Sequence, residues 1–153
     1  MTRDDVIAAL GPVLDVVRSV DPADPSARSR LEAALPLSAM QELKALVRGA
    51  VEQRVICDRE NGSVLWSRVA KDIDGWSIDA VSMHTPGPGH THPNGEIDLC
   101  FAVNGDPEFD GHPEGWCVYP PGSWHVPTVS NGTMDILYFL PGGAIRFEPK
   151  PRG

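Results

Sequence analysis

Gly87-Pro88-Gly89-His90-Thr91-His92-Pro93-Asn94-Gly95-Glu96 is the stretch whose reading decides the fold of this chain. Two histidines separated by one residue point to the same side of an extended backbone. The turn at Pro93-Asn94-Gly95 then returns Glu96 toward them on the following strand. Two imidazoles and one carboxylate converge on one point, a facial set that leaves coordination positions open. Roughly thirty residues on, Pro120-Pro121-Gly122-Ser123-Trp124-His125 makes a second tight turn and delivers a third histidine from a distant strand. A lone histidine on a β surface is most often solvated or hydrogen-bonded, and His-x-His pairs arise by chance. The combination H-x-H-x3-E followed by P-x-G-x2-H is far more specific. It nominates His90, His92, Glu96 and His125 as ligands of one divalent metal ion.

Outward from this stretch the pattern is that of short strands. Period-two segments run over 63–70, 76–84, 96–103, 116–119, 124–129, 133–140 and 144–148. Turn dipeptides separate them, among them Asn61-Gly62, Asp74-Gly75, Asn104-Gly105 and Asn131-Gly132. Of the 15 glycines only Gly11 and Gly49 precede residue 60, so the turning part of the chain is its C-terminal two-thirds. The N-terminal third reads differently. Val6, Leu10, Val13/Leu14 and Val17 recur at helical spacing, with Thr2 and Asp5 as a capping box and Pro12 as an expected bend or break. Asp24-Pro25 predicts a second helix to about Leu35, and Ser38 with Gln41 a third to about Gln53. The expected architecture is mainly β, a sandwich or barrel over 55–153, with a helical segment over 1–54 packed on it.

Composition narrows the function classes. The 153 residues suffice for one domain with a core of its own. With 13 Lys+Arg against 21 Asp+Glu the net charge is -8, which repels phosphate backbones and anionic lipid, so neither a nucleic-acid nor a membrane partner is expected. The acidic opening Met1–Asp5 has no apolar run behind it, and a cytoplasmic location is the expectation. Cys57, Cys100 and Cys117 stand far apart and form no C-x-x-C, so three free thiols are expected.

The two histidine-bearing stretches resemble the two sequence motifs of the cupin superfamily, G-x5-H-x-H-x3,4-E-x6-G and G-x5-P-x-G-x2-H-x3-N. The resemblance implies a cupin-type double-stranded β-helix, or jelly-roll barrel, and assigns the same four ligands. Some positions depart from the motifs: Gly87 stands too close to His90, Gly105 comes late after Glu96, Gly115 is one residue too near Pro120, and Val129 replaces the final asparagine. These are loop and packing positions, so the ligand assignment survives them. A narrower resemblance rests on the helical N-terminal third, on His92-Pro93-Asn94-Gly95-Glu96-Ile97 and on Tyr138-Phe139-Leu140-Pro141-Gly142-Gly143. These features are similar to the small cupin family containing 4-hydroxylaminobenzoate lyase, which converts an aromatic hydroxylamine to a catechol with loss of ammonia. Cupins commonly dimerise, so a homodimer is a further expectation.

Alternation along the strands nominates the remaining site residues. If Glu96 faces the metal, Asp98 and Cys100 look the same way, and Ile97, Leu99, Phe101 and Val103 form an apolar outer face that helices or a second subunit must cover. Asp98 is the first candidate for a catalytic acid or base, with a role in orienting a ligand histidine as the other reading. His84, at the end of its strand, is the second catalytic candidate. Trp116 and Trp124 flank the second motif as a candidate aromatic wall for substrate. Arg68 is the candidate clamp for a substrate carboxylate, in competition with Arg54, Arg59 and Arg146.

Three functions fit these residues. The first is a metal-dependent lyase acting on a small aromatic substrate, with 4-hydroxylaminobenzoate as the compound the resemblance implies. The second is an Fe(II) dioxygenase acting on a small aromatic or thiol substrate. The third is a non-catalytic small-molecule-binding cupin. Fe(II) or Mn(II) is favoured as the metal, and Zn, Ni and Cu also suit three imidazoles and a carboxylate.

Overall fold

The computed structural model describes residues 1–152. Three helices come first: α1 (Arg3–Arg18), α2 (Ala27–Ala34) and α3 (Gln41–Glu52), with a 3-10 turn at Leu37–Ala39. The Thr2/Asp5 capping box forms as expected, the Thr2 amide donating to Asp5 Oδ2 at 2.7 Å. Pro12 does not interrupt α1. Both Pro12 and Ala8, whose carbonyl loses its helical donor, lie on the exposed face, so water satisfies that oxygen. The other two expected caps are not used. Ser26 stands at the N-cap of α2, and Asp24 Oδ1 instead accepts from the Ser26 amide in a local turn. Met40 precedes α3 without a side-chain cap, and Gln41 Nε2 reaches back to the Leu37 carbonyl.

Nine strands follow: β1 (Arg59–Asn61), β2 (Val64–Ile73), β3 (Trp76–Met83), β4 (His90–His92), β5 (Glu96–Phe109), β6 (Gly115–Tyr119), β7 (Ser123–His125), β8 (Val129–Pro141) and β9 (Arg146–Phe147). They form an antiparallel six-stranded sheet in the order β1-β2-β3-β8-β5-β6 and a smaller sheet in the order β7-β4-β9. This is the expected double-stranded β-helix. β5 and β8 run well beyond the predicted spans because β5 absorbs two register shifts, between Ala102 and Asn104 and between Gly105 and Glu108. Such irregularities break the period-two pattern, so the sequence shows only the regular half of the strand.

The large sheet packs apolar side chains on both faces. Ile97, Leu99, Phe101, Leu137 and Phe139 pack on its outer side with Val6, Leu10, Val17, Leu31 and Val47 of the helices. The outer face of β5 is thus covered from within the chain. Met83, Cys100, Phe109, Met134, Ile136 and Tyr138 fill the space between the sheets. All three cysteines are free and buried. Among the described residues no helix is long and apolar enough to cross a membrane.

Candidate metal centre

Each ligand residue reaches the centre for a local reason. His90 and His92 are one residue apart on β4, so both side chains leave the same face of that short strand. The turn after it is closed by the Gly95 amide donating to the His92 carbonyl at 3.2 Å. Gly95 has φ +89, and a Cβ there would lie 2.6 Å from Pro22 Cβ, so the turn requires glycine. Glu96 then opens β5 on the facing sheet. The second motif is tied to the first through the same carbonyl, which also accepts from the Gly122 amide at 2.7 Å. β7 pairs with β4 so that His125 stands opposite His90.

One donor atom from each of His90, His92, Glu96 and His125 lies within 4.8 Å of every other. His92 Nε2 is 3.2 Å from Glu96 Oε2, His90 Nε2 is 3.5 Å from Oε1, and His125 Nε2 is 3.8 Å from Oε2. The Nε2 atoms of His90 and His125 are 3.2 Å apart. Two ligands held at right angles about 2.1 Å from one ion stand about 3.0 Å apart, so these separations suit a shared cation.

The other ring nitrogens fix which proton is where. His90 Nδ1 faces the Pro88 carbonyl at 3.1 Å, which only accepts, so Nδ1 carries the hydrogen. Ser123 Oγ donates to the Pro120 carbonyl at 2.6 Å and is left to accept from His92 Nδ1 at 2.9 Å. His125 Nδ1 donates to Asp110 Oδ2 at 2.6 Å. All three imidazoles therefore turn an Nε2 lone pair inward in their neutral form. Lone pairs and a carboxylate facing one another at these distances repel unless positive charge lies between them. His92 Nε2 and both Glu96 oxygens are fully enclosed and have no hydrogen-bond partner. Such orphaned buried acceptors are what a metal ion satisfies, and the residues fit one.

Asp110 was not nominated by the sequence, where Asp110-Gly111-His112-Pro113 reads as a surface loop. The extended β5 carries it to His125. It takes the left-handed conformation, φ 51, and also accepts from the Tyr119 hydroxyl and, at 2.9 Å, from the Thr128 amide. Burial pushes its carboxyl up, but the hydrogen bonds from His125, Tyr119 and Thr128 outweigh this and hold it below the ordinary value. Tyr119 also stacks on His92, with ring centroids 5.1 Å apart. His112 itself remains an exposed loop residue.

A cavity of about 650 Å³ opens beside the centre. His90 lines it, with Tyr138, Arg68, Asp79, Trp66, Met83 and Phe147 among the other walls. Arg68 thus reaches the cavity, but not as a free cation. Its Nε and one terminal nitrogen grip Asp79 Oδ1 and Oδ2 at 2.8 and 3.2 Å. Arg59, over the Trp66 ring at 5.5 Å, lines the cavity as well.

Four nominated residues are placed elsewhere. Asp98 shares the inner face with Glu96 but is wholly enclosed, lies outside the cavity wall, and has no partner for either oxygen. Burial, and then the charge of Glu96, push its carboxyl well above the usual range. His84 is exposed beyond the end of β3. Ile78, whose strand parity His84 shares, packs in the helix-side core. Trp116 is buried in the helix-side core with its Nε1 donating to the Leu35 carbonyl at 3.0 Å. Trp124 stands opposite Thr91, so it leaves β7 on the side away from the histidines. There its ring packs on Gly89 and its Nε1 donates to the Glu148 carbonyl at 2.9 Å. Neither tryptophan belongs to the cavity wall.

Comparison with known proteins identifies the family. The family described as 4-hydroxylaminobenzoate lyase matches residues 14–147. A 4-hydroxylaminobenzoate lyase of Nocardioides sp. (strain LMS-CY) is 34% identical over 97 residues, covering 56% of this chain and 57% of that protein. One from Pseudomonas putida is 30% identical over 89 residues, covering 56% and 51%. The chain therefore spans about half the length of the curated relatives it matches. A double-stranded β-helix protein from Klebsiella pneumoniae aligns with a TM-score of 0.44 at 18% identity, over 60% of this chain and 90% of that one. With the family matched across most of its length, the chain belongs to the 4-hydroxylaminobenzoate lyase family of cupin-fold proteins.

Proposed function

We propose that this protein is a metal-dependent lyase that converts 4-hydroxylaminobenzoate and water to 3,4-dihydroxybenzoate and ammonia. The observation that carries the reading is the set of three inward Nε2 lone pairs and one enclosed carboxylate beside a cavity, in a chain of this family. The reaction balances without any oxidant or reductant, so it needs no second redox partner. His90, His92, Glu96 and His125 would hold the ion, with Fe(II) or Mn(II) favoured. When bound, the ion supplies Lewis acidity, polarising an oxygen and stabilising developing negative charge.

The chain's own residues do the rest. Asp110, Ser123 and the Pro88 carbonyl hold the three imidazoles in the tautomer and orientation that ligation requires. Burial and the charge of Glu96 disfavour ionisation of the enclosed Asp98, which limits the negative charge at the centre. Arg68, kept in place by Asp79, offers its remaining terminal nitrogen to the substrate carboxylate. The apolar walls Val81, Met83 and Phe147 flank the ring and exclude water from it.

Purified protein is to be mixed with 4-hydroxylaminobenzoate, with and without a chelator. Ammonia and 3,4-dihydroxybenzoate should appear in equal amounts, stop on chelation, and consume no oxygen. Metal-loaded protein that gives neither product contradicts the reading, and oxygen uptake in step with turnover replaces it with a dioxygenase.

A further inference from the structure

The chain has two tyrosines, and they are used differently. The Tyr119 hydroxyl is committed to Asp110. Tyr138 lines the cavity, with its ring 6.3 Å from that of His90. Only 5% of the residue is exposed, yet its hydroxyl is not one of the fully enclosed unpartnered polar atoms, and among the described residues no side chain or carbonyl is bonded to it, so the O–H opens on the cavity. A buried phenol normally finds a partner, so an unengaged one facing a cavity is a donor reserved for what enters it.

The sheet register shows what it would face. Tyr138 stands opposite Asp79 of β3 on one side and Asp98 of β5 on the other, and Asp79 stands opposite Arg68 of β2. Arg68, Asp79, Tyr138 and Asp98 form one polar row across four neighbouring strands. Arg68 and Tyr138 are two strand spacings apart, about 10 Å, which is the length scale of a benzoate carrying a second polar group in the para position. A molecule whose carboxylate meets Arg68 brings its far substituent to Tyr138 and the His90 edge of the centre. The other candidate donors do not reach that point: Asp98 is behind the wall, His84 is outside, and Asp79 is held by Arg68.

We propose that Tyr138 is a catalytic residue of the reaction proposed above, donating a hydrogen bond from its phenolic O–H to the hydroxylamino oxygen as the N–O bond breaks. This rests on the functional reading just given. The electron pair of the N–O bond goes to the departing oxygen, which leaves as hydroxide stabilised by that donor. Water then adds to the ring carbon ortho to the nitrogen, and the proton it releases neutralises the hydroxide. A second water adds to the C=N carbon this leaves, the C–N bond breaks to release ammonia, and transfer of the ring C–H proton to the new carbonyl oxygen restores the aromatic catechol. Tyr138 keeps its own proton throughout, because burial, with the charge of Glu96 adding to it, holds the phenol well above its ordinary range.

Tyr138→Phe deletes one oxygen from the wall and tests this. With rates taken per bound metal ion, kcat for 4-hydroxylaminobenzoate should fall about 100-fold or more while KM stays within about threefold, the loss expected when one aimed donor is removed. A kcat within about threefold of wild type overturns the proposal. Calorimetry supplies a readout that does not need turnover. The variant should bind 3,4-dihydroxybenzoate about fivefold more weakly and benzoate equally well. Equal affinity of both proteins for both ligands overturns the proposal. A wild-type protein that shows this binding difference yet releases no ammonia sinks the lyase reading and leaves the donor in place.

Discussion

His125 Nδ1 donates to Asp110 Oδ2 over 2.6 Å, and the same carboxylate takes the Tyr119 hydroxyl and the Thr128 amide. One side chain thereby orients His125, the ring stacked on His92, and the strand that follows the second motif.

Asp110→Ala should therefore weaken the metal rather than unfold the protein. Loss of such an outer partner commonly lowers metal affinity about 10–100-fold. Competition with a chromophoric chelator measures it. An unchanged affinity would show that His125 is oriented by its backbone alone.

Gly95→Ala forces a side chain into a backbone at φ +89 and against Pro22 and the Tyr119 carbonyl. The variant should lose more than about 1 kcal/mol of stability in urea and bind metal less tightly, because the turn carries Glu96 to the histidines. A variant as stable as wild type would mean that the turn has another conformation open to it.

Trp116→Phe separates packing from substrate recognition. The indole fills the helix-side core and hydrogen-bonds to Leu35, so the change should cost about 1–3 kcal/mol while leaving KM within about twofold. A raised KM at unchanged stability would return Trp116 to the substrate wall.

Cys57 gives a pH signature. Burial pushes its thiol from 9.0 up to about 12, with the nearby charge of Asp135 adding to the shift. A folded-state value above the unfolded one means that the stability is fully present below pH 9 and is lost as pH rises toward about 12. Wild type should lose about 1.4 kcal/mol per pH unit more steeply than Cys57→Ala in that window. Denaturant unfolding between pH 8 and 11 checks this, and parallel curves contradict it. Below pH 9 the native thiol should resist alkylation.

What the sequence showed and what it hid follow from one distinction. His90, His92, Glu96 and His125 were legible because strand alternation and two glycine-proline turns place them by local geometry. The apolar outer face of β5 was legible for the same reason, and the structure packs it in one core with the N-terminal helices. Asp110 was hidden because the register shifts in β5 that bring it to His125 leave no periodic trace. Trp116, Trp124 and His84 were placed by proximity in sequence to the motif or by strand parity. Which face meets the helices and which the cavity depends on how the two sheets stack, and that is a tertiary fact. Tyr138 was visible only as part of a family-like ending. Its position between Asp79 and Asp98 emerges from pairing among three strands distant in sequence.

Every role assigned above depends on three imidazoles and one carboxylate holding a single ion. Elemental analysis of protein purified without added metal, beside His92→Ala treated identically, tests it most directly. About one transition-metal ion per wild-type chain, falling below about a tenth in the variant, is the expected result. Wild-type protein that takes up no metal even after incubation with Fe(II), Mn(II) or Zn(II), or a variant that retains the full complement, would contradict it.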